Sequence, residues 1–135
     1  MKRKACGCWV LADPDYPDLP IGFYTLSPEG VEYQDLLSLP KADLKKLPRY
    51  KRVGAVLLGR LAVHKDFTGK GLGARLLLDA MHRAYHSEIP FVLMVTDPKD
   101  KKAEAFYTKY GFARLTADRL FLTMVKISAL LGSMD

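Results

Sequence analysis

The residues with the clearest chemical potential are Phe67-Thr68-Gly69-Lys70-Gly71-Leu72-Gly73, a stretch in which every second residue from Gly69 is a glycine. Closely spaced glycines let backbone N–H groups converge on an anion, and a helix beginning there adds a favourable dipole. Such a loop can cradle phosphate. A Walker loop would need Ser or Thr after Gly-Lys, but Gly71 follows Lys70. A dinucleotide fingerprint would need its last glycine at position 74, one residue further on, and a second half-domain. The plain alternative is a tight turn with no ligand. The remaining reactive side chains offer less. Cys6 and Cys8 stand two apart in a strand-like segment, poorly placed to bridge, and read as buried thiols. His82 and His86 lie one helical turn apart and could join Asp79 on a metal, but histidines on a polar helix face need no metal, and none is expected here.

The surrounding pattern positions the loop between a strand and a helix. Residues 53–63 form a long apolar run broken only by Gly54, Gly59 and Arg60, as in a central buried strand that bulges or bends at a glycine. After the loop, Leu72, Leu76, Leu77, Ala80, Met81 and Ala84 recur at three- and four-residue steps, predicting a helix over 73–86. Residues 91–96 then read as a second central strand, 100–109 as a helix ended by Gly111, and 112–115 with 120–127 as closing strands. Upstream, 6–11 and 21–26 read as strands joined by an enlarged loop over 12–20, where prolines and aspartates cluster. Residues 31–37 read as a further strand, and 40–48 hold a short helix between two prolines. The fold class is α/β (α+β): a mixed, mostly antiparallel sheet with one strand-helix-strand crossover at its centre. With 135 residues and 49% hydrophobic composition, one domain spanning 1–135 is expected.

In that setting the loop becomes specific. The segment from Leu61 through Gly73 resembles the acyl-CoA binding motif of the GCN5-related N-acetyltransferase (GNAT) family, with Gly71 and Gly73 at its two small positions and Thr68 where Gln or Arg is usual. A second family signature appears as Ala105-Phe106-Tyr107-Thr108-Lys109-Tyr110-Gly111-Phe112 at the family's distance. The resemblance implies an acetyl-CoA-dependent N-acetyltransferase. Its pantetheine arm would lie along Leu61, Ala62 and Val63, and its pyrophosphate over Thr68, Gly69, Lys70, Gly71, Leu72 and Gly73, with Phe106 and Lys109 nearby. Tyr107 resembles the tyrosine that protonates the departing thiolate, a step suited to a phenol of pKa ~10. His64 could serve as a weak base beside the bound thioester, but reads better as a plain loop residue. The central strand carries no Glu base, which suits an α-amine, neutral in roughly a tenth of molecules at pH 7, better than a lysine side chain.

Residues 22–27, 45–50 and 55–63 further resemble the toxin branch of this family, whose members acetylate the α-amine of aminoacyl-tRNA and are neutralised by a ribbon-helix-helix antitoxin. The formal charge of +6 favours polyanions in general. Lys41, Lys45, Lys46, Arg49, Lys51 and Arg52 crowd into twelve residues against Asp43 alone. Such a strip can bind a phosphate backbone or be a solvated face; with the resemblance, Lys45, Lys46, Arg49 and Arg52 become tRNA contacts. A homodimer is also implied. Members of that branch normally begin with a strand and two helices before the segment that starts here near Cys6, so the resemblance implies a naturally short or a truncated member whose acceptor side is expected to be open or completed by a partner. With no membrane-spanning run and no signal-peptide core at its start, the expected location is the cytoplasm.

Overall fold

A computed structural model describes residues 7–45, 47 and 51–132. Six strands form one sheet in the order β1-β2-β3-β4-β6-β5, where β1 is Gly7–Asp13, β2 Tyr16–Glu32, β3 Arg52–Val63, β4 Leu93–Thr96, β5 Ala113–Thr116 and β6 Arg119–Thr123. Only β3 and β4 run parallel, joined through helix α3 (Leu72–Tyr85). The predicted mixed sheet with a central crossover is therefore present. Two short helices, α1 (Tyr33–Leu36) and α2 (Lys41–Leu44), precede β3, while α4 (Lys101–Lys109) follows β4 and α5 (Met124–Gly132) follows β6.

Alternation along the strands divides the core between the two sheet faces. Val56 and Leu58 of β3, Met94 of β4 and Leu120 and Leu122 of β6 pack with Leu76, Leu77, Ala80, Met81 and Ala84 of α3, so the apolar stripe read in the sequence is the buried face of that helix. The intervening residues Val53, Ala55, Leu93, Val95 and Phe121 pack on the other face with Leu36, Leu39 and Leu47.

Several boundaries differ from the sequence reading. The enlarged loop over 12–20 reduces to a turn at Pro14 and Asp15, with the Asp15 N–H donating to Asp13 Oδ1 at 2.8 Å. Pro17 and Pro20, which suggested a loop, lie in strand, because register shifts beside Ala12 absorb the surplus residues of β2. The expected strand over 31–37 ends at Glu32 and gives way to α1, and the expected strand over 120–127 ends at Thr123. The Thr123 hydroxyl accepts the Lys126 N–H at 3.2 Å, an N-cap that starts α5 and turns Ile127 into the core. Cys8, expected to be buried, is exposed, and Cys6 lies outside the described residues.

Candidate active site

The site begins as an irregularity in β3. Tyr24 pairs with Leu61 and Leu26 with Leu58, leaving Thr25 opposite both Gly59 and Arg60. The surplus Arg60 N–H is satisfied by Thr25 Oγ1 at 3.0 Å, and a Cβ on residue 59 would lie 2.8 Å from that oxygen, so glycine fits the bulge. On the other edge, β3 pairs with β4 only from Ala55 with Leu93 to Leu58 with Thr96. Beyond Leu58 the two parallel strands part. The His64 N–H bonds the Ile21 carbonyl at 2.6 Å across the antiparallel ladder. Backbone polar groups alternate in direction along a strand, so those of Leu61 and Val63 turn away from β2 toward the opening.

A cleft of about 580 Å³ occupies this fork, bounded by Leu61, Ala62 and Val63, the glycine loop, and the segment from Lys99 to Tyr107. Gly69 and Gly71 have φ of 80° and 74°, and a Cβ at either would meet nothing within 4 Å. Conformation, not crowding, is therefore what requires glycine there. Gly71 is the N-cap of α3 and offers no side-chain acceptor, leaving first-turn N–H groups available to an anion. A Cβ on residue 73 would lie 3.6 Å from the Phe106 ring, so the start of α3 approaches α4 across one aromatic side chain. Thr68 donates its hydroxyl to the Lys65 carbonyl at 3.0 Å and so closes the turn that enters the loop.

Tyr107 lies at the inner end of the cleft, 6% exposed, packed against Phe106 and Phe112 with ring centroids 5.3 and 5.4 Å away. Burial holds its phenol above the usual tyrosine range, with the hydrogen bond to Thr96 pulling the other way. The proton is thus present at neutral pH. The helix that carries it is capped by Asp100, whose Oδ1 accepts the Ala103 N–H at 2.8 Å.

Of the residues singled out in the sequence, Leu61, Ala62, Val63, Thr68, Gly69, Gly71, Leu72, Gly73, Phe106 and Tyr107 all line this cleft. Lys70 and Lys109 do not. Lys70 folds back over the Phe67 ring at 5.4 Å, and Lys109 lies over Tyr110 at 5.8 Å. Conversely, Lys99, Asp100, Lys102 and Ala103 line the cleft and were not singled out. The run Lys99-Asp100-Lys101-Lys102 before a helix was the readable signal. His64 holds the loop: its Nδ1 accepts the Asp66 N–H at 3.1 Å, so that nitrogen carries no proton and its 3.6 Å approach to the Asp66 carboxylate is not an ion pair. Of the basic strip, Lys45 is exposed and Arg52 is paired with Glu32 at 2.7 Å, while Lys46 and Arg49 lie outside the described residues.

A second cavity of about 650 Å³ lies between β1, α3 and α5. Two of its polar residues are engaged with each other, Tyr24 donating to Asp79 at 2.5 Å, and the neighbouring Arg83 donates its Nε–H to the Tyr24 oxygen at 3.0 Å with its guanidinium 4.6 Å from the Trp9 ring. Asp79 is therefore committed elsewhere than to His82 and His86, and no metal-holding cluster occurs among the described residues. Nor is any described helix long and apolar enough to cross a membrane.

The family profile described as an acetyltransferase (GNAT) domain matches residues 4–114. A tRNA-acetylating toxin of Mycobacterium tuberculosis (strain ATCC 25618 / H37Rv) is 32% identical over 116 residues, covering 83% of this chain and 67% of that protein. Among solved structures, AtaT complexed with acetyl-methionyl-tRNAfMet is similar with a TM-score of 0.82 and 28% identity, over 95% of this chain and 76% of that one. AtaTR bound with AcCoA is similar with a TM-score of 0.78 and 27% identity, over 95% and 76% of the respective chains.

Proposed function

This chain belongs to the GNAT acetyltransferase domain family, and on that premise we propose that it moves the acetyl group of acetyl-CoA to the α-amine of aminoacyl-tRNA, blocking translation. The observation that carries the acetyl-CoA part is the fork itself. Backbone groups of Leu61 and Val63 face an opening continuous with two positive-φ glycines at a helix start, a surface suited to an amide-bearing arm ending in a pyrophosphate. In this reading the pantetheine amides bond Leu61 and Val63. A main-chain N–H near Val63 stabilises the oxyanion as the amine attacks, and Tyr107 protonates the departing thiolate.

The acceptor follows from the lack of a free base. Asp100 is the one carboxylate lining the cleft among the described residues, and it is spent on the cap of α4. An amine already partly neutral at pH 7 needs no strong base, and an α-amine is such a group. The similarity to a tRNA-acetylating toxin and to AtaT with its acetylated tRNA points the same way. Lys45 and the neighbouring basic residues would meet the tRNA backbone, with Arg52 weakened for that role by its pairing with Glu32. A ribbon-helix-helix antitoxin and a homodimer are corollaries of the toxin reading.

The test is transfer of label from acetyl-CoA to a pool of charged tRNA by wild type and Tyr107→Phe. Label on the aminoacyl end, lost in the variant, supports the whole reading. Label on small amines or lysines but not on tRNA assigns the chain to metabolic or protein acetylation. Acetyl-CoA binding with no transfer to any amine leaves a binding module.

A further inference from the structure

The bulge that opens the cleft also re-aims a side chain. Leu58 and Leu61 both pack on the α3 face, so the two residues between them, Gly59 and Arg60, lie on the other face of the sheet with Thr25, whose neighbours Tyr24 and Leu26 are likewise on the α3 face. The Thr25 oxygen fixes this arrangement, accepting the Arg60 N–H at 3.0 Å and leaving no room for a side chain at residue 59. Arg60 is exposed there, one residue before the cleft-lining Leu61, and no ion pair among the described residues includes it. Arg119, which alternation places on the same face as Phe121, is held instead by Asp97 and Glu29 at 2.7, 2.9 and 3.0 Å. On this face Leu36, Leu39 and Leu47 pack with Val53 and Ala55 at the start of β3, while Cys8 and Val10, beside Thr25 and Phe23 of β2, are exposed.

We propose that Arg60 binds a phosphate at the 3′ end of the acceptor strand and so seats the aminoacyl group at the fork, from the face opposite the acyl donor. The proposal rests on the reading of the chain as an aminoacyl-tRNA acetyltransferase. The donor cleft is walled by Leu72 and Gly73 of α3 and by Ala103, Phe106 and Tyr107 of α4, so a bound donor occupies the α3 and α4 side of the sheet. Beyond the rung of Leu58 and Thr96 the parallel strands are no longer paired, and the gap between them gives a second approach to a thioester held along Leu61 and Val63. An amine attacks a carbonyl from outside its plane, and the side left to it is the one that the donor does not fill. The aminoacyl ester is carried on the terminal ribose, whose 5′ phosphate is one nucleoside from the reacting amine. A cation beside the gap on the acceptor's face is therefore placed for that phosphate. A guanidinium suits it, presenting a planar fork of N–H donors to two phosphate oxygens. Arg60 has no carboxylate to give up on binding, whereas Arg119 would have to leave two.

The experiment is steady-state acetylation of a charged tRNA pool by the full chain, comparing wild type with Arg60→Gln and Arg60→Lys. Aminoacyl-adenosines of the same amino acids serve as second acceptors, keeping the α-amine and the ester but carrying no phosphate. Arg60→Gln should raise KM for charged tRNA about tenfold, the value of one charge-assisted contact, with kcat and the affinity for acetyl-CoA unchanged. Arg60→Lys keeps the charge without the fork and should recover part of the loss. In Arg60→Gln the slope of log KM for charged tRNA against log salt should fall by about 0.7, as for one phosphate on a single strand. The loss should be confined to the acceptor that carries phosphate. An unchanged KM for charged tRNA, an unchanged salt slope, or a loss of equal size on aminoacyl-adenosine would overturn the phosphate contact while leaving the tRNA reading in place. Wild type that binds acetyl-CoA and acetylates no charged tRNA would overturn that reading and the proposal with it.

Discussion

Replacing Gly71 separates what the loop needs for folding from what it needs for binding. Its φ of 74° lies where a side chain is strained, while the space around a Cβ is empty to 4 Å, so Gly71→Ala carries a backbone cost and no clash. That cost is about 1–2 kcal/mol, or a fall in Tm of roughly 3–6 °C for a chain of this size. Gly71→Glu bears the same backbone cost and adds a carboxylate at the cleft wall. Two like charges ~5 Å apart at an effective dielectric of ~20 repel by about 3 kcal/mol, some two orders of magnitude in Kd. Gly111 is the control: its φ of 102° is equally strained for a side chain, and its Cβ would lie 3.5 Å from Leu122 Cδ1, outside the cleft. Scanning calorimetry and isothermal titration with acetyl-CoA should therefore give similar Tm losses for Gly71→Ala, Gly71→Glu and Gly111→Ala, with affinity collapsing in Gly71→Glu and intact in Gly111→Ala. If Gly71→Glu binds acetyl-CoA as tightly as Gly71→Ala, the glycine loop does not hold the phosphates.

Tyr107→Phe should lower kcat about a hundredfold with KM for acetyl-CoA within twofold, since it removes a proton donor and preserves the packing against Phe112; steady-state kinetics decides it. Arg119 donates to Asp97 at 2.7 and 2.9 Å and to Glu29 at 3.0 Å, tying β6 to the end of β4 and to β2. Arg119→Met should cost about 1–2 kcal/mol, moderated by the partial exposure of both carboxylates; an unchanged urea midpoint would contradict it. Burial, with the hydrogen bond to Asp79 next, pushes the Tyr24 phenol up to about 12. The unfolded chain ionises first, so this contribution is intact below pH ~10 and is lost as pH rises toward 12. Tm should accordingly drop more between pH 9 and 11.5 in wild type than in Tyr24→Phe.

The sequence was most informative where one residue type had one physical use. Gly69 and Gly71 could be read as a loop whose backbone requires glycine, because closely spaced glycines before an apolar helix have few other purposes, and both adopt positive φ. The stripe from Leu72 to Ala84 could be read because a three-and-four spacing has one buried face. Where a residue had two uses, the reading failed. Pro17 and Pro20 read as loop but sit in an irregular strand, and the apolar residues from Met124 to Ile127 continued the strand pattern although Thr123 capped a helix there. Lys70 and Lys109 belonged to the right motifs, yet each lies over an aromatic ring beside it in the chain.

What composition and periodicity could not supply is how the fork is made, because that depends on partners far apart in the chain. Two threonines flank the parting of the central strands. Thr25 accepts the surplus N–H of Arg60, 35 residues away, and so stabilises the bulge that turns Leu61 and Val63. Thr96 donates to Leu58, 38 residues away, at the rung where β3 and β4 last touch. Each alone reads as an unremarkable strand threonine, well suited to a β-branched position. Only the register brings their hydroxyls to the two sides of one strand, one fixing the bulge that opens the cleft and the other holding the last rung before it. Both hydroxyls thus act on the backbone of residues 58–60, so removing either, as in Thr25→Val or Thr96→Val, should alter the course of β3 where the cleft opens and weaken binding of acetyl-CoA measured by titration calorimetry.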